Sequence, residues 1–173
     1  MESLEYLDIV VRGWMHDARN KILAAFNKDL DVWTKSGRND LVTNIDKEIE
    51  KIYSKNIRLL FPEANIIGEE SFTQGDLNMN GMTWFIDPID GTMNFVKQHC
   101  HFASMLAIYE NGKGVRGYIY DVVGDKLYWG GPDVGVFCNN EKMKDPSNTV
   151  LRDGLIGIGG PYLIHNFCNL HDR

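Results

Sequence analysis

Apolar residues recur every three or four positions near the start of the chain, a spacing that predicts a long amphipathic helix. The apolar stripe consists of Leu4, Leu7, Val11, Trp14, Ala18, Ile22 and Ala25. The polar face of this helix mixes positive and negative charges, so we interpret the stripe as a packing surface against a sheet or a subunit rather than a membrane-binding surface. Glycine, asparagine and charged residues follow over residues 28–40 and predict an exposed hairpin or mobile loop.

A second helical pattern starts after Thr43. One side holds Ile45, Ile49, Ile52, Tyr53, Ile57 and Leu60, and the other side holds Lys47, Glu48, Glu50 and Lys51. Thr43 and Asp46 have the spacing of a capping box in which aspartate replaces glutamate. From these residues alone, we interpret Asp46 as an N-terminal capping residue. Pro62 ends the helix, because proline cannot continue the backbone hydrogen bonds.

Two short apolar segments end in acidic residues, and this repetition is the main chemical signal of the chain. The strand predicted over residues 65–68 is followed by Glu69 and Glu70, and a second apolar strand leads directly to Asp87 and Asp90. Adjacent glutamates are in most cases simply solvated. If the strand ends are neighbours, however, four carboxylates come together, and their repulsion favours neutralisation by cations. We therefore predict a multi-metal site, and oxygen ligands of this kind suit Mg²⁺.

The residues that follow predict a phosphate site beside the metal site. Pro88 fixes its own backbone and restricts its predecessor, so we expect residues 87–90 to form a turn that points both aspartates and the Ile89 carbonyl toward one place. Gly91 and Thr92 then allow the chain to turn sharply into a helix, whose first N–H groups attract an anion.

Strands separated by turn sequences make up the rest of the chain. An antiparallel meander is predicted over residues 102–109, 115–120, 126–129 and 135–138. A further strand is predicted to start over residues 155–158.

Composition narrows the class of protein. The chain has 173 residues, enough for one domain with a sizeable core, and its net charge of −6 disfavours nucleic acid and anionic membranes as partners. We find no apolar run of membrane-spanning length and no basic, apolar signal region at the start, so we expect a cytoplasmic protein. The three cysteines are far apart in sequence and predict free thiols.

The order and spacing of these motifs resemble the inositol monophosphatase family of Mg²⁺-dependent, lithium-sensitive phosphatases. The resemblance is carried by Asp46, Gly68-Glu69-Glu70-Ser71, Asp87-Pro88-Ile89-Asp90-Gly91-Thr92 and the hairpin Gly135-Val136-Phe137-Cys138-Asn139. It implies an α+β fold, namely the layered αβαβα sandwich that inositol monophosphatases share with fructose-1,6-bisphosphatases. We expect residues 1–173 to form a single domain that corresponds to the N-terminal αβ portion, with the C-terminal αβ layer missing or incomplete.

The resemblance also implies roles for the acidic residues. Glu69, Asp87 and the Ile89 carbonyl would bind a first Mg²⁺, and Asp87 would bridge to a second ion bound by Asp90. Glu70 would support a weaker third ion through water.

The remaining implied roles concern water, phosphate and subunits. Thr92 would pair with Glu69 to orient the attacking water, and the Gly91 and Thr92 amides would hold phosphate oxygens next to Asp90. Asp46 and Lys35 would act near the third metal ion. Li⁺ is the expected inhibitor, the partner is a small phosphorylated substrate, and a homodimer is expected.

One family motif is missing from the sequence. Relatives carry a Trp-Asp-x-Ala motif that supplies a ligand of the second metal ion, and no Trp-Asp pair occurs in this chain. The chain is therefore expected to be a C-terminally truncated relative, or one that a partner segment completes. On its own, we expect it to bind one Mg²⁺ at the first site and to hydrolyse phosphate esters poorly.

The leading function is hydrolysis of an inositol monophosphate. Fructose 1,6-bisphosphate, a nucleotide 3′-phosphate and NADP are the other possible substrates. The alternative is an inactive metal-binding or dimerising remnant, and a nucleic-acid-binding module fits the acidic composition poorly.

Overall fold

The fold was determined from a computed structural model that describes residues 4–27, 30–34, 41–71, 78–146, 150–154 and 157. The helices are α1 (Leu4–Ala25), α2 (Asn44–Leu60) and α3 (Thr92–Gln98). The first strands are β1 (Val32–Thr34), β2 (Leu41–Thr43), β3 (Asn65–Gly68), β4 (Met82–Asp90) and β5 (Ala103–Glu110). They are followed by β6 (Lys113–Asp121), β7 (Lys126–Gly131), β8 (Gly135–Cys138) and β9 (Glu141–Lys142), and a 3-10 turn spans Leu151–Asp153.

Seven of the strands in the described ranges form one sheet in the order β3-β4-β5-β6-β7-β8-β9. The pair β3–β4 is parallel and all later pairs are antiparallel, so the predicted meander is confirmed. Strands β1 and β2 form a separate antiparallel pair, in which β1 lies within the segment predicted as an exposed hairpin or mobile loop and β2 directly follows that segment. Lys35 lies outside the described residues.

The core forms where α1 and α2 pack on one face of the large sheet. Trp84 of β4 is fully buried, and its ring centroid lies 6.1 Å from that of Trp14 and 5.8 Å from that of Phe61. Met15 and Tyr53 are also fully buried. The two predicted amphipathic helices therefore exist and bury their apolar stripes, as their periodicity requires.

Three residues differ from the predicted helix faces, and Asp8, which was not assigned to a face, is buried as well. Leu4 and Leu60, predicted to lie on the apolar stripes, are the first residue of α1 and the last residue of α2, and each is 38% exposed. Asp8 and Glu50 lie on the buried faces and are only 4% and 6% exposed. Hydrophobic spacing misses such residues, because an acid at the border of a stripe is buried only when a specific partner receives it.

Pro88 also has a different setting from the predicted turn. Strand β4 continues through Asp90, and its pairing with β5 shifts register between Asp87 and Asp90, which is a β-bulge. A bulge accommodates the missing N–H of proline without ending the strand.

Backbone contacts divide the chain into two compact units, Met1–Met143 and Lys144–Arg173. The helices and strands of the described residues lie in the first unit, and the described part of the second contains the 3-10 turn at Leu151–Asp153. Of the strand predicted over residues 155–158, only Gly157 is described. The single-domain arrangement stays a prediction.

The structure also bears on the predictions about the cysteines and about membrane-spanning segments. Cys100 and Cys138 are free thiols, as expected. Among the described helices, none has the length and apolar character needed to cross a membrane.

Candidate metal and phosphate site

The parallel pairing of β3 and β4 brings the two acidic strand ends together. Gly68 is in register with Ile86, so Glu69 and Asp87 are the next residues on adjacent strands. The Glu69 N–H donates to the Ile86 carbonyl at 2.9 Å, which extends the pairing by one step. A hydrogen bond also joins the Glu69 and Asp87 side chains. The sequence prediction of neighbouring carboxylates is therefore confirmed for this pair.

The bulge at Pro88 places Asp90 near the same cluster. Asp87 pairs with Met105 and Asp90 pairs with Ala103, so three steps on β4 match two on β5. In a regular strand, residues three apart face opposite sides of the sheet. The extra residue of the bulge offsets this alternation, so that Asp87 and Asp90 can lie on the same side of the sheet. The charge of Asp90 is close enough to raise the pKa of Asp87.

Asp46 connects the N-terminus of α2 to this cluster. The Thr43 N–H donates to Asp46 Oδ2 at 2.9 Å, and the Asp46 N–H donates to Thr43 Oγ1 at 3.3 Å, which confirms the capping box. The other oxygen, Asp46 Oδ1, lies 3.3 Å from Thr92 Oγ1, which also lies 3.0 Å from the Ile89 carbonyl oxygen. Asp46 is fully buried. One of its oxygens caps α2 and the other contacts Thr92, so a single side chain links the helix to the site.

Burial and electrostatic repulsion act together on the pKa of Asp87. Burial, followed by the charge and hydrogen bond of Glu69 and the charges of Asp90 and Asp46, raises the pKa of Asp87 to about 8. Burial also raises the pKa of Asp46. Within the described part of the chain, Asp87 Oδ1 is buried and has no hydrogen-bond partner. A buried carboxylate oxygen without a donor, surrounded by other acids, is a fitting place for a cation.

The acids are not already arranged around one ion. Among the described residues, no three acidic, histidine or cysteine side chains lie in positions that would hold a metal. Glu69 and Asp90 are exposed, so their side chains can reorient, whereas Asp46 is fixed by its hydrogen bonds. Binding of one ion would thus require the exposed carboxylates to draw toward Asp87.

The predicted phosphate site begins at Gly91. This residue is the N-cap of α3 with a φ of 87°, a left-handed conformation that glycine adopts without strain. A Cβ at this position would approach the His101 carbonyl oxygen to 3.3 Å. Gly91 has no side chain that could cap α3, so the first turn presents backbone N–H groups and the positive end of the helix dipole.

Sequence reasoning missed Glu50, which it placed on the solvated face of α2. Its side chain is buried, and Oε2 accepts the Glu70 N–H at 2.7 Å. The available signal was its position four residues after Asp46, which places both acids on the same helix face.

A groove of about 740 Å³ borders the acidic cluster. It lies on the face of the sheet opposite Trp84, because Phe85 and Asp87 alternate with the residues that face the helices. Phe85, Met105, Ile119 and Val136 make its lining apolar, while Glu69 and Asp87 stand at its polar end.

Comparison with known proteins identifies the class of this fold and site. The sequence profile of the Inositol monophosphatase family matches residues 3–158, so the chain belongs to that family. It is 41% identical to the inositol-1-monophosphatase of Bacillus subtilis over 168 residues, which cover 96% of this chain and 63% of that protein. It is 37% identical to mouse inositol monophosphatase 1 over 145 residues, which cover 83% of this chain and 51% of the mouse protein.

Solved structures agree on the fold. The crystal structure of an IMPase/NADP phosphatase complexed with Mg²⁺ and phosphate superposes with a TM-score of 0.77 at 34% identity, covering 83% of this chain and 54% of that one. The predicted α+β fold of this family is thereby confirmed. The chain spans between about half and 63% of the length of these curated relatives.

Proposed function

We propose that this chain contributes to a Mg²⁺-dependent phosphomonoesterase that hydrolyses an inositol monophosphate or a related small phosphate ester. The observation that carries the proposal is the group of acids around Asp87, whose buried Oδ1 has no described partner and whose pKa is raised to about 8. The fully ionised form of this group is unfavourable in the folded protein unless a cation neutralises it.

The residues present fit hard divalent cations. Glu69, Asp87, the Ile89 carbonyl and Asp90 would hold the first two ions, and Glu70 would support a third. All of these ligands are oxygens, as Mg²⁺ prefers. When bound, the metal ions lower the pKa of water and stabilise the charge on the transferring phosphoryl group.

Thr92 is the residue that we assign to the positioning of water. Its hydroxyl has Asp46 Oδ1 and the Ile89 carbonyl as acceptors, so its proton points into the protein. The lone pairs of Thr92 Oγ1 then remain to accept a hydrogen bond from water and so to orient it. Asp46 is therefore a partner of Thr92 in this proposal, while the predicted pairing of Thr92 with Glu69 and the role of Lys35 stay predictions.

The start of α3 is the proposed phosphate site. Gly91 and Thr92 would donate their amides to phosphate oxygens, and the left-handed Gly91 allows the backbone to approach them closely. Asp90 precedes these amides directly and would contact the substrate or the second ion.

Structures of related proteins support the proposed substrate and the proposed inhibitor. A staphylococcal inositol monophosphatase was solved as an inhibitory complex soaked in LiCl, and a dual-specific IMPase/NADP phosphatase was solved with D-inositol-1-phosphate. We extend to this chain a small phosphorylated substrate, inhibition by Li⁺ and assembly as a homodimer.

The proposal is tested by phosphate release from D-inositol-1-phosphate with Mg²⁺, before and after Asp87→Asn. We expect the substitution to lower release by at least about 100-fold, because it removes a metal ligand. Asp17→Asn, which neutralises an exposed acid of α1, is the matched control and should leave release unchanged.

Release that survives Asp87→Asn would contradict the metal mechanism. If the parent chain binds Mg²⁺ but releases no phosphate from any ester tested, the alternative of a metal-binding remnant is correct.

A further inference from the structure

Glu50 is a buried acid of α2 to which the proposed reaction gives no role. It lies one helical turn after Asp46, and its residue surface is 6% exposed. A buried carboxylate is costly unless it is hydrogen-bonded. Glu50 Oε2 satisfies this need by accepting the Glu70 backbone N–H at 2.7 Å, a charge-assisted hydrogen bond.

Gly68 makes this contact possible. A Cβ added to Gly68 would lie 2.3 Å from Glu50 Cδ and 2.4 Å from Oε2. Any side chain at the end of β3 would therefore push the Glu50 carboxylate away from the Glu70 amide. The glycine of the Gly68-Glu69-Glu70 motif is thus explained by close packing against a carboxylate.

Two successive amides in this turn are held from different directions. The Glu69 N–H donates to the Ile86 carbonyl of β4, and the Glu70 N–H donates to Glu50 of α2. Two fixed peptide planes determine where the Glu69 and Glu70 side chains leave the backbone. Helix α2 thereby touches both parts of the site, through Asp46 at Thr92 and through Glu50 at Glu70.

We infer that Glu50 is a positioning residue whose buried carboxylate fixes the Glu69–Glu70 turn for binding of divalent cations. This inference rests on the proposed metal-dependent function. Groups that orient metal ligands without touching the ion commonly change metal affinity 10- to 100-fold when removed, roughly the effect expected here. A residue that only held α2 against the sheet would change stability without a separate change in affinity.

The test compares Glu50→Ala with Glu50→Gln by calorimetric titration of the full chain with Mg²⁺. Glu50→Ala removes the acceptor, so the Mg²⁺ dissociation constant should rise about 10- to 100-fold. Glu50→Gln keeps a carbonyl oxygen of similar reach and should stay within about threefold of the parent. Ile57→Ala opens a cavity in the fully buried face of the same helix and is the control for lost packing; it should leave the affinity unchanged.

Hydrogen exchange of the Glu70 amide supplies a measurement that needs no metal. Exchange should accelerate at least about tenfold in Glu50→Ala and remain slow in Ile57→Ala under conditions where both are folded. Gly68→Ala should accelerate the same amide, because its methyl group displaces the carboxylate. The Gly68→Ala/Glu50→Ala double variant should exchange no faster than Glu50→Ala, since both changes break one contact.

Equal Glu70 exchange in Glu50→Ala and the parent, or equal Mg²⁺ affinity in Glu50→Ala and Ile57→Ala, would overturn the positioning role. Failure of the parent to bind Mg²⁺ has a different meaning. It would overturn the proposed function, while the exchange data would still decide whether Glu50 holds the turn.

Discussion

Two groups of acids in the first unit differ in what surrounds their partly or fully buried members: one contains an arginine, and the other contains further acids. Between α1 and β6, Arg116 Nε donates to both oxygens of Asp8 at 3.0 and 3.2 Å, and the Tyr118 hydroxyl donates to Asp8 Oδ1 at 2.6 Å. The remaining guanidinium nitrogens of Arg116 donate to Asp133. This cluster contains its own cation, and hydrogen bonding to Arg116 lowers the pKa of Asp133.

The cluster around Asp87 brings several acids close to one another. Burial and the neighbouring acids Glu69, Asp90 and Asp46 raise the pKa of Asp87. By contrast, the hydrogen bond from Arg116 lowers the pKa of Asp133. The difference teaches that the first cluster is complete within the chain and stabilises the docking of α1. The second stores repulsion that an added cation can relieve, which is the property expected of a ligand site.

The largest expected effect comes from Arg116→Met. This substitution leaves Asp8 buried without its cation, so the free energy of unfolding should fall by about 3–5 kcal/mol. Urea unfolding measures the change, and Arg152→Met, at a side chain that is 86% exposed, is the control. A loss below about 1 kcal/mol would show that Asp8 and Arg116 are not a buried pair in solution.

The next largest effect is a pH dependence of the stability, which comes from the acids around Asp87 rather than from the pair of Asp8 and Arg116. The pKa of Asp87 is raised from 3.8 to about 8 in the folded chain, so the native state binds a proton that the unfolded state has released. Without metal, this contribution to stability is present below about pH 4 and is lost as pH rises toward 8. The melting temperature measured in EDTA should therefore fall between pH 6 and pH 8 and then level off.

The same melting experiment can be repeated with added Mg²⁺ and with the Asp87→Asn variant, which tests whether Asp87 causes the pH dependence. Mg²⁺ binds the ionised carboxylate, so its stabilising effect should grow as pH rises through 8. Asp87→Asn removes the titrating group and should reduce both trends. The same pH slope in Asp87→Asn and the parent would assign the dependence to other groups.

Tyr118→Phe should have a smaller effect than the loss of Arg116. It removes one hydrogen bond to a charged acceptor while Asp8 keeps its arginine, so we expect a loss of about 1.5–3 kcal/mol in urea unfolding. Tyr109→Phe, at a partly buried ring on the neighbouring strand, controls for loss of a hydroxyl. Equal losses in the two variants would mean that Asp8 gains nothing from Tyr118.

Asp133→Asn should give the smallest change. The Asp133 side chain is 54% exposed, so water screens its pairing with Arg116, and Arg116 keeps Asp8. Unfolding in urea should show a loss smaller than that of Tyr118→Phe. A loss equal to that of Arg116→Met would mean that both acids are needed to hold the arginine.

Much of the fold followed from local pattern. The spacing of apolar residues predicted α1 and α2, the Thr43–Asp46 spacing predicted the capping box, and turn residues predicted the meander. These features depend on neighbours a few residues apart, which a sequence shows directly. The acidic strand ends also predicted the chemistry of the site, because strand and charge are adjacent in the chain.

Burial of individual acids did not follow from the pattern. Asp8 depends on Arg116, which lies 108 positions away, and Glu50 depends on the Glu70 amide beyond a strand and a turn. Neither partner is visible from the helix on which the acid lies. The bulge at Pro88 was missed for a related reason, since only pairing with β5 shows that the strand continues.

The sequence by itself determined which elements form, and it supplied the carboxylates, the proline and the glycine of the proposed metal and phosphate site. Local sterics and periodicity suffice for that result. Only the tertiary structure decided that Asp46 caps α2 and also contacts Thr92, that Glu50 holds the Glu70 amide, and that Asp8 has an arginine whereas Asp87 has other acids. Electrostatic free energy depends on distances through space, and these are fixed only when the strands and helices pack.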